Sequence, residues 1–340
     1  MRIKPQKIFP LRDCPGCAMS VPANENRCPV CGYEFPGARR PARIYIVLSG
    51  LVALALLTLW IGPCRFPSQP EPLSPLQPAI PARRVISLAP NLTEIVFAIG
   101  AGDRLVGRTS ACDTPDEARS IPVVGGFGRP SLERVIQMRA DLVLDVDLED
   151  EQMAMAIRNA GIPMERIPCR KVDDIPAAIR RIGFLLGETD AAEALATQIE
   201  QEFAKRRARP NTAYRPRVYA EIWPDPPMTI GHGSFVAELI QLAGGINVAR
   251  EVGREYFPVS TETVLKWNPD ILLLLYMAQS SSPAERLAAR PGWRDLSALR
   301  SGRIIAHLDP ALFLRPGPRV LEGIRQLETA LQNAAQNDTK

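Results

Sequence analysis

An unbroken apolar stretch at residues 44–62 constrains the architecture of this chain more than any other feature. It contains neither a charged residue nor a proline. A helix rises ~1.5 Å per residue, so a run of this length can cross a hydrocarbon core of ~30 Å. Three arginines lie within the five residues before it, whereas only Arg65 follows closely. The positive-inside bias therefore predicts an uncleaved, single-pass anchor in the cytoplasmic membrane, with residues 1–43 cytoplasmic and the rest periplasmic or extracellular.

The positive charge of the chain is concentrated in the head that precedes this stretch. Residues 1–43 carry eight basic and three acidic side chains, a charge of +5, whereas the whole chain carries +4. The remainder is therefore close to −1. A nearly neutral outer part offers no electrostatic footprint for DNA or RNA, and we expect no nucleic-acid partner.

Two CxxC pairs, Cys14 with Cys17 and Cys28 with Cys31, occupy the head. Four thiolates at this spacing can surround one zinc ion tetrahedrally. A segment this short cannot bury much core, so metal binding would supply most of its folding free energy. Disulfides or a redox pair are the alternative, which a cytoplasmic location disfavours. We predict a zinc ribbon at residues 1–38 that serves as a structural or partner-docking module.

A proline-rich segment at residues 63–83 follows the predicted anchor. Its seven prolines exclude a helix or a central strand and favour an extended polyproline II conformation. At ~3.1 Å per residue such a segment reaches about 60 Å. It is either a stiff spacer or a disordered tether between the membrane and the outer domain.

Beyond residue 84, short β-branched runs alternate with helical patterns, which is typical of α/β domains with largely parallel sheets. Strands are predicted at 84–88, 105–109, 121–124 and 142–145, and Asn91 and Ser131 are predicted helix caps. A long helical region without strand signals interrupts the alternation, which then resumes. The sequence therefore predicts two α/β lobes joined by one long helix, with the boundaries 84–189 for the N-terminal lobe, 190–209 for the interlobe helix and 210–335 for the C-terminal lobe.

An internal repeat supports two lobes. The segment that begins at Ser131 aligns without a gap on the segment that begins at Ser260, so that Glu133 matches Glu262. A valine, an aspartate and an apolar strand recur at the same spacing after each glutamate. A glutamate in the first turn of a helix compensates the helix dipole, and that role alone explains a single glutamate. A matched pair, one in each lobe, points to a shared function.

Five short sequence segments of the outer part carry a family resemblance: residues 84–94, 131–135, 244–247, 260–264 and 315–319. From about residue 84 to 331, the chain resembles the helical-backbone class of ABC-transporter solute-binding proteins, and within that class the vitamin B12 (cobalamin) binders. The resemblance implies two lobes that hold a ligand in the cleft between them. It also implies that Glu133 and Glu262 dock into arginine pockets of a permease dimer that works with an ATPase. An exposed carboxylate at a helix start suits such bidentate contacts.

Several side chains are candidates for ligand contact in that cleft. Large rigid rings suit a bulky corrinoid, and arginines can meet its peripheral groups. The candidates are Phe127, Arg129, Trp223, Tyr256, Phe257 and Arg315. Each ring could instead pack in the core, and each arginine could be solvated. His232 is either a ligand to a bound metal centre or an ordinary loop histidine.

The chain departs from the cobalamin binders at residues 111–114, where those proteins carry tyrosines. Of the outer cysteines, Cys112 and Cys169 could form a disulfide, although spacing alone does not establish one. No Ser-His-Asp order, HExxH motif or nucleotide-binding loop follows a predicted strand, so we expect no enzyme. The expected function is capture of a corrinoid for an ABC importer. Capture of haem or a ferric siderophore by the same machinery is one alternative, and a single-pass sensor that signals to the zinc ribbon is another.

Overall fold

The computed structural model describes residues 11–13, 20–22, 80–146, 151–209, 215–276 and 283–336. It divides the chain into two compact units, Met1–Pro78 and Ala79–Lys340. In the first unit, Leu11–Asp13 (β1) and Ser20–Pro22 (β2) form an antiparallel pair. The four ribbon cysteines, the predicted anchor and most of the linker lie outside the described residues. Within the described ranges, no helix is both long and apolar enough to cross a membrane.

The N-terminal lobe is built on a six-stranded sheet. Its strands are Val85–Ser87 (β3), Leu105–Thr109 (β4), Val123–Gly126 (β5), Arg129–Pro130 (β6), Leu142–Asp145 (β7) and Met164–Arg166 (β8). The order is β6-β5-β4-β3-β7-β8, and every neighbouring pair is parallel except β5 with β6. The helices between the strands are Pro90–Ala98 (α1), Leu132–Gln137 (α2) and Glu151–Asn159 (α3). The carboxyl ends of the parallel strands consequently share one edge, where α/β proteins bind ligands.

Two local predictions need correction. The strand predicted at 121–124 begins two residues later, because the amide of Ile121 closes a 3₁₀ turn on the carbonyl of Ala118. Asn91 does not cap its helix, since α1 begins at Pro90, whose fixed φ suits the first helical turn. The Asn91 side chain instead donates to the carbonyl of Pro316 in the other lobe, at 3.1 Å.

Two antiparallel helices, Asp174–Leu186 (α4) and Thr189–Arg207 (α5), connect the lobes in sequence. Gly187 makes the turn between them in the left-handed conformation, with φ 74°, which costs glycine little. A Cβ on Gly183 would lie 2.2 Å from the Cβ of Ala192. Glycine at that position therefore allows the two helices to pack closely. Helix α5 covers most of the predicted interlobe helix.

The C-terminal lobe contains a second six-stranded sheet. Its strands are Arg217–Pro224 (β9), Pro227–Ile230 (β10), Ile246–Asn247 (β11), Tyr256–Pro258 (β12), Ile271–Leu274 (β13) and Ile304–Ile305 (β14). The strand order is β12-β10-β9-β13-β14, and β11 also pairs with β9. Strands β9, β11, β13 and β14 are parallel to one another, whereas β10 is antiparallel to both of its neighbours. The helices are Phe235–Leu242 (α6), Thr261–Trp267 (α7), Pro283–Ala288 (α8), Ser297–Arg300 (α9), Ala311–Leu314 (α10) and Val320–Gln336 (α11).

One apolar core runs through both lobes. It joins Leu144 of the N-terminal sheet, Phe203 of α5 and Ile240 of α6 in a single buried cluster. Two smaller clusters cover the other face of each sheet. Dense packing is not continuously deformable, so a shared core limits how far the lobes can rotate against each other.

Candidate functional site: the junction of the two lobes

The repeated segment folds in the same way in both lobes. Ser131 caps α2 by accepting the amide of Arg134 at 3.4 Å, and Ser260 caps α7 by accepting the amide of Thr263 at 3.3 Å. The valine that follows each first-turn glutamate by two positions is fully buried. Each capped helix is therefore fixed on its lobe by one buried anchor and one side-chain cap.

The correspondence extends past the ends of these helices. Arg139 and Asn268 occupy matching positions in the repeat, and both are left-handed, with φ 47° and 40°. Two residues later, Asp141 accepts the amide of Arg84 at 3.0 Å, and Asp270 accepts the amide of Arg217 at 2.7 Å. Each aspartate therefore fixes the start of the strand that pairs with its own. The repeated Ser and Asp residues are structural.

The repeated glutamates are the members of the pattern that point into solvent. Glu133 and Glu262 are both exposed in the first turns of α2 and α7. Hydrogen bonds from the amide of Glu262 itself and from the Ser260 hydroxyl lower the pKa of Glu262. Glu133 has only a long contact, 3.5 Å, from the Gln137 amide. Each lobe thus presents one exposed carboxylate at the start of a capped helix.

Exposed rings lie at the carboxyl edges of both sheets. Phe127 is in the turn after β5 and Trp223 is near the end of β9, and each is 57 % exposed. Tyr256, which is 41 % exposed, lies on the outer strand β12 opposite Ile230. Of the residues that the structure describes, these are the aromatic side chains with large exposed areas. Such rings are available to a ligand with an extended apolar face.

A buried carboxylate holds the turn that bears Trp223. Glu221, with no exposed area, accepts both terminal nitrogens of Arg290 at 2.7 and 2.8 Å. Arg290 also donates to the carbonyl of Pro224 at 3.0 Å, and the Trp223 indole donates to the carbonyl of Asp225 at 2.8 Å. Because these bonds fix the backbone of the β9–β10 turn, the ring of Trp223 is positioned before any ligand arrives.

The same cluster contains two tyrosines and a tryptophan. Tyr219 and Tyr276 both donate to Glu221, and Arg290 stacks over the ring of Trp293 at 4.5 Å. Burial and the charge of Glu221 raise the pKa of both tyrosines. Burial alone would lower the pKa of Arg290, but its bonds to Glu221 outweigh burial and raise it. Both tyrosines therefore stay protonated, and Arg290 stays charged, at neutral pH.

The two carboxyl edges meet at an ion pair. Asp113 lies in the loop after β4, and Arg315 follows α10, which comes after β14. Arg315 donates through Nη1 to Oδ1 of Asp113 at 2.6 Å, with side-chain exposures of 12 % and 45 %. This bond lowers the pKa of Asp113 against a smaller opposing effect of burial. Arg315 therefore joins the two lobes.

A second, more buried contact lies beside that pair. Glu94 of α1 accepts Nε and Nη2 of Arg319, both at 2.9 Å, and Nη1 of Arg315 lies 3.9 Å from Glu94. Elsewhere on the junction, the amide of Val172 donates to Glu238 of α6 at 2.8 Å. The lobes are thus connected by charge-assisted bonds as well as by the common core.

The remaining predicted site residues have different surroundings. Phe257 is 8 % exposed and belongs to a core cluster, because alternation along β12 turns this ring inward while Tyr256 faces out. Its contact with a ligand stays a prediction. Arg129 and His232 are exposed. Cys112 and Cys169 are free thiols and form no disulfide with each other. Burial raises the pKa of Cys169 to about 12, which makes it a poor nucleophile.

Sequence reasoning missed the roles of Glu94, Glu221, Arg290 and Arg319. Each was one charged residue among many, and their partners are 69 to 225 residues apart in sequence. The sequence contains a weak signal for Glu94 and Glu221, because each lies within an apolar run. If such a run is buried, its charged residue needs a hydrogen-bonded partner.

Comparison with known proteins agrees with this geometry. The family described as "Periplasmic binding protein" matches residues 85–311. A vitamin B12-binding protein of Pectobacterium carotovorum is 27% identical over 248 residues, which are 72% of this chain and 87% of the relative. An uncharacterized ABC transporter substrate-binding lipoprotein of Bacillus subtilis, YvrC, is 27% identical over 257 residues, with 73% and 80% covered.

Solved structures resemble the same region. The periplasmic heme-binding protein RhuT from Roseiflexus sp. is 33% identical, with a TM-score of 0.68 over 75% of this chain and 99% of that one. The vitamin B12-binding protein BtuF of Vibrio cholerae is 25% identical, with a TM-score of 0.63 over 75% and 98%. These relatives are substrate-binding transport proteins and not enzymes. With its two α/β lobes and a family match over most of its outer part, the chain belongs to the periplasmic binding protein family and is a solute-binding protein of an ABC importer.

Proposed function

We propose that this protein is a membrane-anchored receptor that captures a corrinoid, cobalamin in the first instance, between its lobes and delivers it to an ABC importer. The observation that carries the ligand proposal is the pair of exposed rings, Phe127 and Trp223, one at the carboxyl edge of each sheet. A macrocycle placed between two such edges gains contact with both rings at little entropy cost, because the turn of Trp223 is already fixed.

Delivery rests on the two exposed glutamates. Glu133 and Glu262 occupy equivalent places on their lobes, on helices capped in the same way. A two-fold symmetric permease dimer presents the same surface twice, so a binding protein with one carboxylate per lobe can engage both copies. Bidentate arginine contacts to such carboxylates are strong when desolvated.

Haem is the second candidate, and a ferric siderophore remains an alternative for the same machinery. Haem is favoured by the 33% identity to a protein described as heme-binding. The exposed Arg129, two residues from Phe127, offers a partner for a carboxylate at the rim of the ring. Haem and corrinoids are both flat macrocycles, so the rings alone do not separate them.

Calorimetric titration of residues 79–340 with cyanocobalamin, haemin and a ferric hydroxamate tests the ligand. We expect tight one-to-one binding of cyanocobalamin and a loss of about tenfold in affinity in the Trp223→Ala variant, because a stacked ring contributes about 1.5 kcal/mol. Binding of haemin or the siderophore alone would replace the corrinoid with that ligand. Absence of binding with all three ligands would refute the proposed ligand class.

Transport in cells that carry the cognate permease tests delivery. We expect the double variant Glu133→Ala/Glu262→Ala to bind ligand with unchanged affinity and to lose most uptake. Glu285→Ala, which removes another exposed glutamate on α8, is the matched control and should transport normally. Full uptake by the double variant would exclude docking through these two residues.

Residues 1–38 are proposed to be a zinc ribbon on the cytoplasmic side of a single membrane span at residues 44–62. Strand β1 ends immediately before Cys14, and its partner β2 begins three residues after Cys17. In sequence, the first CxxC pair therefore falls between two antiparallel strands, and thiolates are ligands that structural zinc sites use. Metal analysis of the full-length protein should give one zinc per chain, and a Cys28→Ser/Cys31→Ser variant that keeps its zinc would contradict the ribbon.

A further inference from the structure

The contact between Asp113 and Arg315 bears on which ligands the cleft accepts. Asp113 lies four residues beyond the end of β4, and Phe127 lies one residue beyond the end of β5, the strand paired with β4. Paired strands are ~4.8 Å apart, so their carboxyl ends open onto the same part of the edge. The ion pair is therefore part of the region where a ligand would meet the Phe127 ring.

The loop that carries Asp113 is held by its own hydrogen bonds. Arg108, which is buried, donates to the carbonyls of Thr109, Ile121 and Arg119 at 2.9 to 3.1 Å. Arg119 in turn donates through Nε to the carbonyl of Asp113 at 3.1 Å. With both ends of the loop fixed, the carboxylate of Asp113 stays close to Arg315.

The charges at this junction leave no surplus positive charge for a ligand anion. Arg319 is engaged by Glu94 at 2.9 Å and lies 3.8 Å from Asp309, while Arg315 is engaged by Asp113 at 2.6 Å. Two arginines thus meet three carboxylates. A ligand carboxylate placed here would face Asp113 without a partner, whereas a neutral carboxamide can still donate to the half-exposed Asp113.

We infer that Asp113 is a specificity residue that neutralises Arg315 and thereby selects macrocycles with carboxamide peripheries against those with carboxylates. This inference deepens the proposed function and rests on it. Discrimination arises mainly from the disfavoured contact, because a like charge next to the ligand costs more than a missing hydrogen bond.

The test compares ligand pairs that differ in charge and share their shape. Full-length protein is titrated with cyanocobalamin and its monocarboxylic acid, and with haemin dimethyl ester and haemin. In wild type we expect the neutral member of whichever pair binds to be preferred. In Asp113→Asn that preference should fall at least about tenfold, the change that accompanies loss of one like-charge contact. In Arg315→Gln, which leaves Asp113 without its partner, the preference should rise.

Controls separate a change of selectivity from a change of fold. Asp116→Asn removes a 90 % exposed aspartate from the same loop and should leave the preference within about twofold of wild type, which is the scale of surface substitutions. Circular dichroism and melting temperature establish that each variant is folded. If wild type binds but Asp113→Asn keeps the wild-type preference, or if Arg315→Gln lowers it, the inference is wrong and the proposed function stands. If wild type binds neither pair, the proposed function itself fails, and the inference with it.

Discussion

Two buried glutamates, Glu94 at the junction of the lobes and Glu221 inside the C-terminal lobe, each accept two hydrogen bonds from one arginine. Their surroundings differ. Glu221 also accepts two tyrosine hydroxyls, and its arginine is 17 % exposed. None of the hydrogen bonds that the structure describes for Glu94 comes from a tyrosine, and the side chain of Arg319 is 28 % exposed.

This difference matches what each site must do. The carboxylate of Glu221 is fully buried and its bonds with Arg290 fix the Trp223 turn, so a ligand meets a preformed surface. The contact at Glu94 joins two lobes, and water already reaches its arginine, which is 28 % exposed. The same type of contact, a glutamate bound by both arms of an arginine, therefore holds a rigid turn within one lobe and joins the two lobes at a site that water reaches.

The largest expected effect comes from Glu221→Gln. The substitution leaves the charge of Arg290 without its counterion in a buried site, and we expect the free energy of unfolding to fall by about 3 kcal/mol. Chemical denaturation of residues 79–340 measures it, with Glu285→Gln as the exposed control. Ligand affinity should fall as well, because the Trp223 turn loses its support. A loss of stability without any change in affinity would show that the cluster does not position Trp223.

A smaller effect is expected from Glu94→Gln, about 2 kcal/mol, because Arg319 can turn to water. The informative difference is in cooperativity. Calorimetry should show a broader unfolding transition, since the lobes are less strongly coupled, whereas Glu221→Gln should keep one sharp transition. Equal broadening in both variants would contradict the distinction between a contact within a lobe and a contact between lobes.

The smallest effect concerns Glu238, which accepts the amide of Val172 in another polar contact across the junction. Burial raises the pKa of Glu238. A carboxyl with a raised pKa contributes stability below its ordinary pKa of 4.5 and loses it as pH rises through the folded-state pKa. Glu238→Gln keeps the acceptor and removes this loss, so its stability relative to wild type should increase between pH 4 and pH 7. Thermal melts across that range measure it. Glu238→Ala, which lacks the acceptor, should be less stable than Glu238→Gln at every pH.

Much of the fold could be predicted because its signals are local. Alternation of short apolar runs with helical spacing, the serine caps of α2 and α7 and the repeated glutamates all depend on residues within a few positions of one another. Exposure or core packing of Phe127, Trp223 and Phe257 was left open by the sequence, and the structure exposes the first two rings and buries the third.

The sequence by itself determined the two α/β lobes, the connecting helices and the matched carboxylates, because propensity, capping and periodicity act along the chain. Only the tertiary structure decided which charges meet. Asp113 and Arg315 are separated by 202 residues, and Glu94 and Arg319 by 225. A single sequence does not show which oppositely charged residue a charged side chain will contact. The Coulomb energy of a pair depends on the distance between the charges, and only folding sets that distance. Where folding buries a pair, loss of either partner is strongly destabilising, whereas charges that stay exposed are hydrated by water.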